Sequence, residues 1–400
     1  MIYYVIFLIL ALFSFTDNLK DKRYSSLSFI ISFFILFLFG SLRYDTGWDF
    51  ATYRFYFERT DTINVFLTNG FSPSVYFEFG FKLLISIIKS LGLGFQSFIF
   101  ICNLFVVSCL YYFINRNIKY KNSAILLFYS LCYLFINLSI LRQGIAASFL
   151  LLAIDSNFNN KNSYKTYSYI FISTLFHFSS IVFIPLIFVS QIFKVKQRAF
   201  LLFISSIIFI SLVNIPIFEI FYHTFHSILP SDLNEKFEFY INSTRFGVSR
   251  AIGFGFIEKV FFLILLFHYF IVKNNLTHKE AKNINLIVLM LLSYFAIYVL
   301  FIDVQVIYTR LKFYFMIVAS CYYPLFIYEF LNKQFSKQLG VVICISFSFI
   351  NLYNTLRFEP NKIVFIPYQT IITEPPSYLT QDYYRIDRAQ EIIKENQNKP

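Results

Sequence analysis

Long apolar runs alternate with short polar blocks along most of the chain. Runs at roughly 2–16, 27–42, 96–114, 124–154, 167–190, 199–218, 251–272, 284–302, 311–330 and 339–356 approach or exceed the length of a membrane crossing. A helix needs about 20 apolar residues to cross, with tolerance near 17–25. A weaker, amphipathic run covers 76–94. The pattern predicts an all-α polytopic integral membrane protein with about 10–12 transmembrane segments, including broken or re-entrant helices. The helical domain is expected over 1–356, with outer loops at 43–75 and 219–250, and 357–400 as an extracytoplasmic tail.

Polar blocks set the orientation. Lysine and arginine gather at 17–26, 115–123, 156–166, 191–198, 273–283 and 331–338, and the positive-inside rule puts all six in the cytoplasm. The mixed-charge stretches 43–75, 219–250 and 357–400 then face outside. Met1–Thr16 lacks a basic n-region and is followed by Lys20, Lys22 and Arg23. It is expected to be a first transmembrane helix with its N-terminus outside. Three conditions close this topology. The 76–94 run stays in the interface, with Lys82 and Lys89 on one face. The 124–154 run turns back at a break marked by Arg142-Gln143-Gly144, and 167–190 turns back near His177 or Pro185.

Composition narrows the class. Hydrophobic residues make up 58% and charged ones 14%, against about a quarter charged in a soluble domain. The net charge of +12 lies in blocks between apolar runs, so it reads as membrane orientation and not as a nucleic-acid surface. The 57 Phe and 30 Tyr beside one Trp read as compositional bias without functional weight. Cys102, Cys109, Cys132, Cys321 and Cys344 lie inside apolar runs, with no CxxC or Cys/His spacing. They are expected to be small hydrophobes and not a disulfide or zinc framework. Walker, GxSxG, HExxH and Gly-rich dinucleotide motifs are missing from the sequence. No metal or cofactor is expected.

Ionisable residues in or beside transmembrane segments are costly, and function is the default inference. They are Arg43, Asp45, Asp49, Glu78, Arg142 with Gln143, His177, Glu258, Lys259, Asp303, Arg310 and Lys312. The topology gathers most of them at the outer leaflet. Arg43, Arg142 and Arg310 each close the outer end of an apolar run. A guanidinium fork matches phosphate oxygens, so the three are candidates to cradle a pyrophosphate; snorkelling anchors are the alternative. Asp45 and Asp49 would share a face if their stretch were helical. They either hold or deprotonate a sugar hydroxyl, or pair with Arg43 and Arg54. Glu78 sits among aromatics, and His177 is either a structural histidine or a reserve base. Gly47 suits a turn, and Trp48 either an interfacial anchor or a sugar-stacking platform.

These stretches, in their order, resemble the EpsG family of Wzy-like polysaccharide polymerases. "LRYDTGWDFATYRFYF" carries Arg43, Gly47, Asp49 and Tyr53 at the family's spacing, with Thr46 where a hydrophobe is frequent. "FEFGFKLL" (Glu78, Gly80, Phe81), "LRQGIAASFLLLAI" (Arg142, Gln143, Ala146) and "LFHFSSIVFIPL" (His177, Ser179) follow. "TRLKFYF" (Arg310, Tyr314) and "FIPYQT" (Pro367, Tyr368) are weaker echoes, and nothing matches from Thr370 onward. The resemblance implies a glycosyltransferase of the bacterial cytoplasmic (inner) membrane. It would join undecaprenyl-pyrophosphate-linked oligosaccharide repeats into O-antigen, capsule or exopolysaccharide on the outer face. On that reading Arg142, Arg310, Asp49 and His177 are catalytic. Arg43, Asp45, Gly47, Trp48, Tyr53, Glu78, Gln143 and Tyr314 bind substrate. The implied partners are the lipid-linked oligosaccharide, membrane lipid, and a chain-length regulator and flippase of the same pathway. The competing readings are a polyprenyl-linked glycan transporter or flippase, and a polyprenyl-donor glycosyltransferase or ligase. A membrane acyltransferase lacks a convincing cytoplasmic histidine. The transporter reading is weakened by the missing internal repeat.

Overall fold

In lipid every backbone amide must bond within its own segment or inside protein, so the apolar runs fold as helices. The computed structural model describes residues 1–70, 77–159, 163–213, 217–227, 234–235, 238, 254–272, 278–301, 305–331, 337–372 and 384–397. Asp303 and most of the loop 219–250 lie outside the described residues. Among the described residues, five helices are long and apolar enough to cross a membrane: Lys22–Ser41, Phe95–Asn117, Asn283–Leu300, Ile307–Phe330 and Lys337–Arg357. Shorter apolar helices accompany them at Ile2–Asn18, Lys121–Ile136, Phe178–Ile192 and Gln197–Ile210. The protein is an all-α, multi-pass membrane protein. All five cysteines are buried, and none forms a disulfide.

The chain forms two units, Met1–Ile181 with Ser320–Pro400, and Val182–Ala319. The first contains α1 (Ile2–Ser14), α2 (Lys22–Ser41), α3 (Phe50–Arg59), α4 (Ile63–Asn69), α5 (Phe79–Ser90) and α6 (Phe95–Asn117). It continues with α7 (Lys121–Phe128), α8 (Leu134–Ile136), α9 (Leu141–Asn159) and α10 (Ser163–Phe176). The second contains α11 (Phe183–Ile192), α12 (Gln197–Val213), α13 (Ile217–Phe225), α14 (Phe254–Val272) and α15 (His278–Leu300). There Asn285 fastens the end of α11, donating to Ser190 O (3.0 Å) and Phe193 O (2.7 Å) while accepting from Val195 N (2.8 Å). The long α16 (Gln305–Phe330) begins in the second unit and ends in the first, where α17 (Lys337–Arg357), α18 (Glu359–Phe365) and α19 (Tyr384–Gln397) follow.

Local chemistry sets the helix ends of the first unit. Asp17 sits just past α1 and caps α7 from a distance, accepting from Ser123 N (2.8 Å), Ser123 Oγ (2.9 Å) and Asn122 N (3.2 Å). Those amides are among the donors that a helix start leaves without an intrahelical partner. At 12 residues, α5 is about 18 Å long and too short to cross. Lys89, near the end of α5, reaches across to α3. Its ammonium caps the C-terminus of α3, donating to Phe57 O (3.1 Å) and Glu58 O (3.0 Å), where a cation meets the negative end of the helix dipole.

The 124–154 run is broken, though earlier than the sequence suggested. After α7 the chain widens into a π-helical turn, Tyr129–Tyr133, and α8 ends at Ile136. Residues 137–140 are non-helical, and Arg142, Gln143 and Gly144 sit in the first turn of α9. The polar pair Asn137 and Ser139 ends the helix, because their side chains bond elsewhere: Asn137 donates to Asn103 Oδ1 (2.7 Å) and Ser139 Oγ accepts from Trp48 N (3.1 Å). The second break falls at His177, between α10 and a 3-10 turn at Phe178–Val182.

Candidate functional site

"RYDTGWDF" is the clamp on the first of these breaks. Arg43 and Tyr44 form a short strand, β1, antiparallel to β2 (Gln369–Thr370), with Arg43 opposite Thr370. Arg43 is wholly buried, with its guanidinium donating to the Asn137 carbonyl and lying 5.8 Å from the Phe50 ring. Gly47 has φ +112°, and a Cβ there would strike the Leu138 carbonyl oxygen. Trp48 bonds to Ser139 through its amide and to Asn361 Oδ1 (3.1 Å) through its indole. Three consecutive residues of the break, Asn137, Leu138 and Ser139, are therefore each held by the motif. The structure places Arg43 beneath the surface it was expected to line, as the pin of a helix break.

Gly47→Ala tests the clamp. Forcing a Cβ into left-handed backbone against a carbonyl should cost about 2–4 kcal/mol. The thermal midpoint of the detergent-solubilised protein should fall, with a red shift in emission from Trp48, the only tryptophan. An unchanged midpoint and spectrum would show that the close approach does not matter.

The two aspartates do not share a helical face, because the stretch is strand and turn up to Asp49. Asp45 takes φ 38°, and its carbonyl and carboxylate face Arg385 of α19, at 2.8 Å from Nη1 and 3.8 Å from Nε. Asp49 is the residue before α3. One turn on, Tyr53 donates to Asp49 Oδ2 (3.3 Å) and accepts from the Arg142 amide (3.5 Å). The start of α9, whose first amides have no intrahelical partner, is thus tied to the start of α3.

From Arg142 the network continues to the other two segments. Its Nη1 donates to Glu78 Oε2 (2.7 Å), and its guanidinium lies 4.4 Å from the Phe77 ring centroid. The other Glu78 oxygen meets His177 Nδ1 at 3.0 Å. Side-chain exposures of 19%, 21% and 14% for Arg142, Glu78 and His177 leave each within reach of a ligand. Glu78 reaches both partners because α5 comes very close to α10. A Cβ at Gly80 would lie 2.9 Å from Leu175 O, so only glycine permits this approach. An aromatic wall fixes the same corner: Phe81 packs on Tyr53 (5.5 Å), Phe77 (5.2 Å) and Phe98 (5.4 Å). Burial raises the Glu78 pKa, but the close His177 imidazole and the Arg142 charge outweigh it and hold the carboxyl at about 2. Glu78 is an anion that holds two basic groups in place.

Five residues singled out from sequence, Asp49, Tyr53, Glu78, Arg142 and His177, form one connected network within the first unit. Gln143 follows Arg142 in α9 and is 1% exposed. Arg310 and Tyr314 belong to the second unit; Arg310 is exposed, and Tyr314 packs edge-on against Phe183 (5.7 Å). The network itself thus holds one of the three expected arginines, together with two carboxylates. Sequence reading overlooked Phe77 beneath the guanidinium, Asn137 at the break, and Arg385 on Asp45. An asparagine three residues after the "CYL" of an apolar run was a readable sign of the break; Arg385 carried none.

The sequence model of the EpsG family matches residues 26–370. No curated protein and no solved structure matches the chain.

Proposed function

This chain belongs to the EpsG family, and we propose that it polymerises undecaprenyl-pyrophosphate-linked oligosaccharide repeats on the outer face of the bacterial inner membrane. The observation that carries the reading is the Arg142–Glu78–His177 cluster, built where two helices break. Irregular backbone at membrane depth is tolerated where protein encloses it or a cavity is lined.

The chemistry is glycosyl transfer. A hydroxyl of the incoming repeat attacks the anomeric carbon of the growing chain; the new C–O bond forms as the bond to the pyrophosphate breaks. The leaving pyrophosphate gains negative charge, and a preorganised guanidinium offsets that charge most effectively near low-dielectric lipid. Arg142 takes this role. His177 accepts the hydroxyl proton. Glu78 holds the Nδ1 side of the imidazole at 3.0 Å, which turns the other ring nitrogen towards the acceptor. Asp49 orients the acceptor sugar, Trp48 borders it, and the buried Tyr53 holds Asp49 in place. Products such as O-antigen, capsule and exopolysaccharide all fit this reaction, and a chain-length regulator and a flippase fit as partners.

A deletion strain tests the class. Long polymer should vanish and single lipid-linked repeats accumulate on the outer face; accumulation on the inner face would mean a transporter. Asp49→Asn should lower polymer yield about tenfold, the scale of a lost charge-assisted hydrogen bond, with the thermal midpoint nearly unchanged. Full yield would reduce Asp49 to a structural partner of Tyr53.

A further inference from the structure

A polar cavity lies at the other end of α9 and α10 from the network. It has a volume of about 490 Å³ and is lined by Tyr112 and Arg116 of α6, Asp155 and Ser156 of α9, and Lys165 and Tyr169 of α10. The opposite ends of α9 and α10 lie at the network, and that of α6 lies at the Arg43 clamp. Gln96 of α6 donates to Arg43 O (3.3 Å), α9 begins beside Arg142, and α10 ends before His177. Gln96 to Arg116 is about 30 Å along the helix, the thickness of a hydrocarbon core. The two sites therefore lie at opposite ends of α9 and α10, about 20 Å apart along α9 from Arg142 to Asp155.

The lining is rich in donors. Asp155 is its only carboxylate, and both its oxygens are engaged: Oδ1 accepts from Asn117 (2.9 Å) and Asn159 (2.9 Å), and Oδ2 lies 3.3 Å from Arg116 Nη1. Arg116, exposed at the cavity edge, also lies 5.2 Å from the Tyr112 ring and donates to its hydroxyl. Ser156 is 4% exposed, and its Oγ is buried without a hydrogen-bond partner. An orphaned buried hydroxyl is costly, and a ligand oxygen would satisfy it. With Lys165 added, the cavity has one cation in excess of its carboxylate.

We propose that this cavity binds a phosphate-bearing anion at the end of α9 and α10 away from the Arg142 network, with Arg116 and Lys165 as counter-charges and Ser156 and Tyr169 as hydroxyl donors. Its place among basic blocks such as Lys119 and Lys121 matches the leaflet rich in anionic lipid, where basic pockets between transmembrane helices take up phospholipid headgroups. The same donors suit a soluble phosphate, so the two sources have to be distinguished.

Full-length protein in zwitterionic detergent is titrated with dioctanoyl phosphatidylglycerol, dioctanoyl phosphatidylcholine and inorganic phosphate, and read by native mass spectrometry and thermal shift. Phosphatidylglycerol should bind and phosphatidylcholine should not. Lys165→Gln, at an exposed position, should weaken binding about tenfold. Ser156→Ala, which removes only the unpartnered hydroxyl, should weaken it about threefold. Displacement of the lipid by inorganic phosphate would identify phosphate itself as sufficient; lipid binding unaffected by phosphate would assign the site to headgroups. Equal binding of the two lipids, absence of binding by both anionic probes, or wild-type affinity in both variants would overturn the proposal.

Discussion

Arg142→Lys should collapse long polymer to short or single repeats while the protein still folds and inserts. Lysine can restore the charge opposite Glu78, where the guanidinium now donates over 2.7 Å. It cannot lie flat at 4.4 Å over Phe77 or present a planar fork to two phosphate oxygens. Loss of one preorganised donor to a developing anion typically costs about 10²–10³ in rate. The glycan ladder from a strain carrying only the variant, at matched protein level, measures it. A wild-type ladder would remove Arg142 from the chemistry. A milder outcome is expected for Arg142→Lys in stability, because the ion pair survives and the residue is partly exposed.

Charge and hydropathy made the helical membrane class legible, because lipid permits so few backbone solutions. The positions of two helix interruptions were nearly legible for the same reason, since polar residues inside apolar runs are conspicuous. His177 marks its break directly. The first break was misplaced because Arg142 is more conspicuous than Asn137, although arginine is a good helix former. Asparagine is the residue whose side chain competes for backbone-like bonds. The hidden part is long-range. That Arg43 donates to Asn137, 94 residues away, or that Tyr53 bridges Asp49 and the α9 amide, depends on how helices pack. No local period encodes that packing. Composition gave the aromatics no role, and three of them, Phe77, Phe81 and Phe98, form the wall that packs around Tyr53 and Arg142. One consequence is a division of labour within a single motif: Gly47 and Arg43 fix the break, and Asp49 and Tyr53 connect it to Arg142 and its partners.

Glu78→Gln should reduce polymerisation about 10²–10³-fold, as much as His177→Gln, because the two act as a pair. An amide keeps the shape but removes the anion that holds both Arg142 Nη1 (2.7 Å) and His177 Nδ1 (3.0 Å). The imidazole then loses its orientation, and correctly placed general bases contribute about 10²–10⁴-fold. Glu78 also makes a separable contribution to stability. Its folded pKa of about 2 lies below the ordinary 4.5, so the folded protein prefers the ionised form. That stabilisation is complete above the ordinary value and is lost as pH falls from about 4.5 towards 2. It amounts to about 3 kcal/mol. Wild-type protein should therefore lose stability steeply through that window, and Glu78→Gln should start lower and lack the step. Since Glu78 stays ionised throughout neutral pH, its titration places no step in activity between pH 5 and 8. If Glu78→Gln keeps both the acid step and wild-type polymer, the carboxylate is a bystander; if it loses the step but keeps polymer, its role is structural alone. Loss of both is the expected result, and it would tie the ion pair seen between α5 and α9 to the transfer reaction itself.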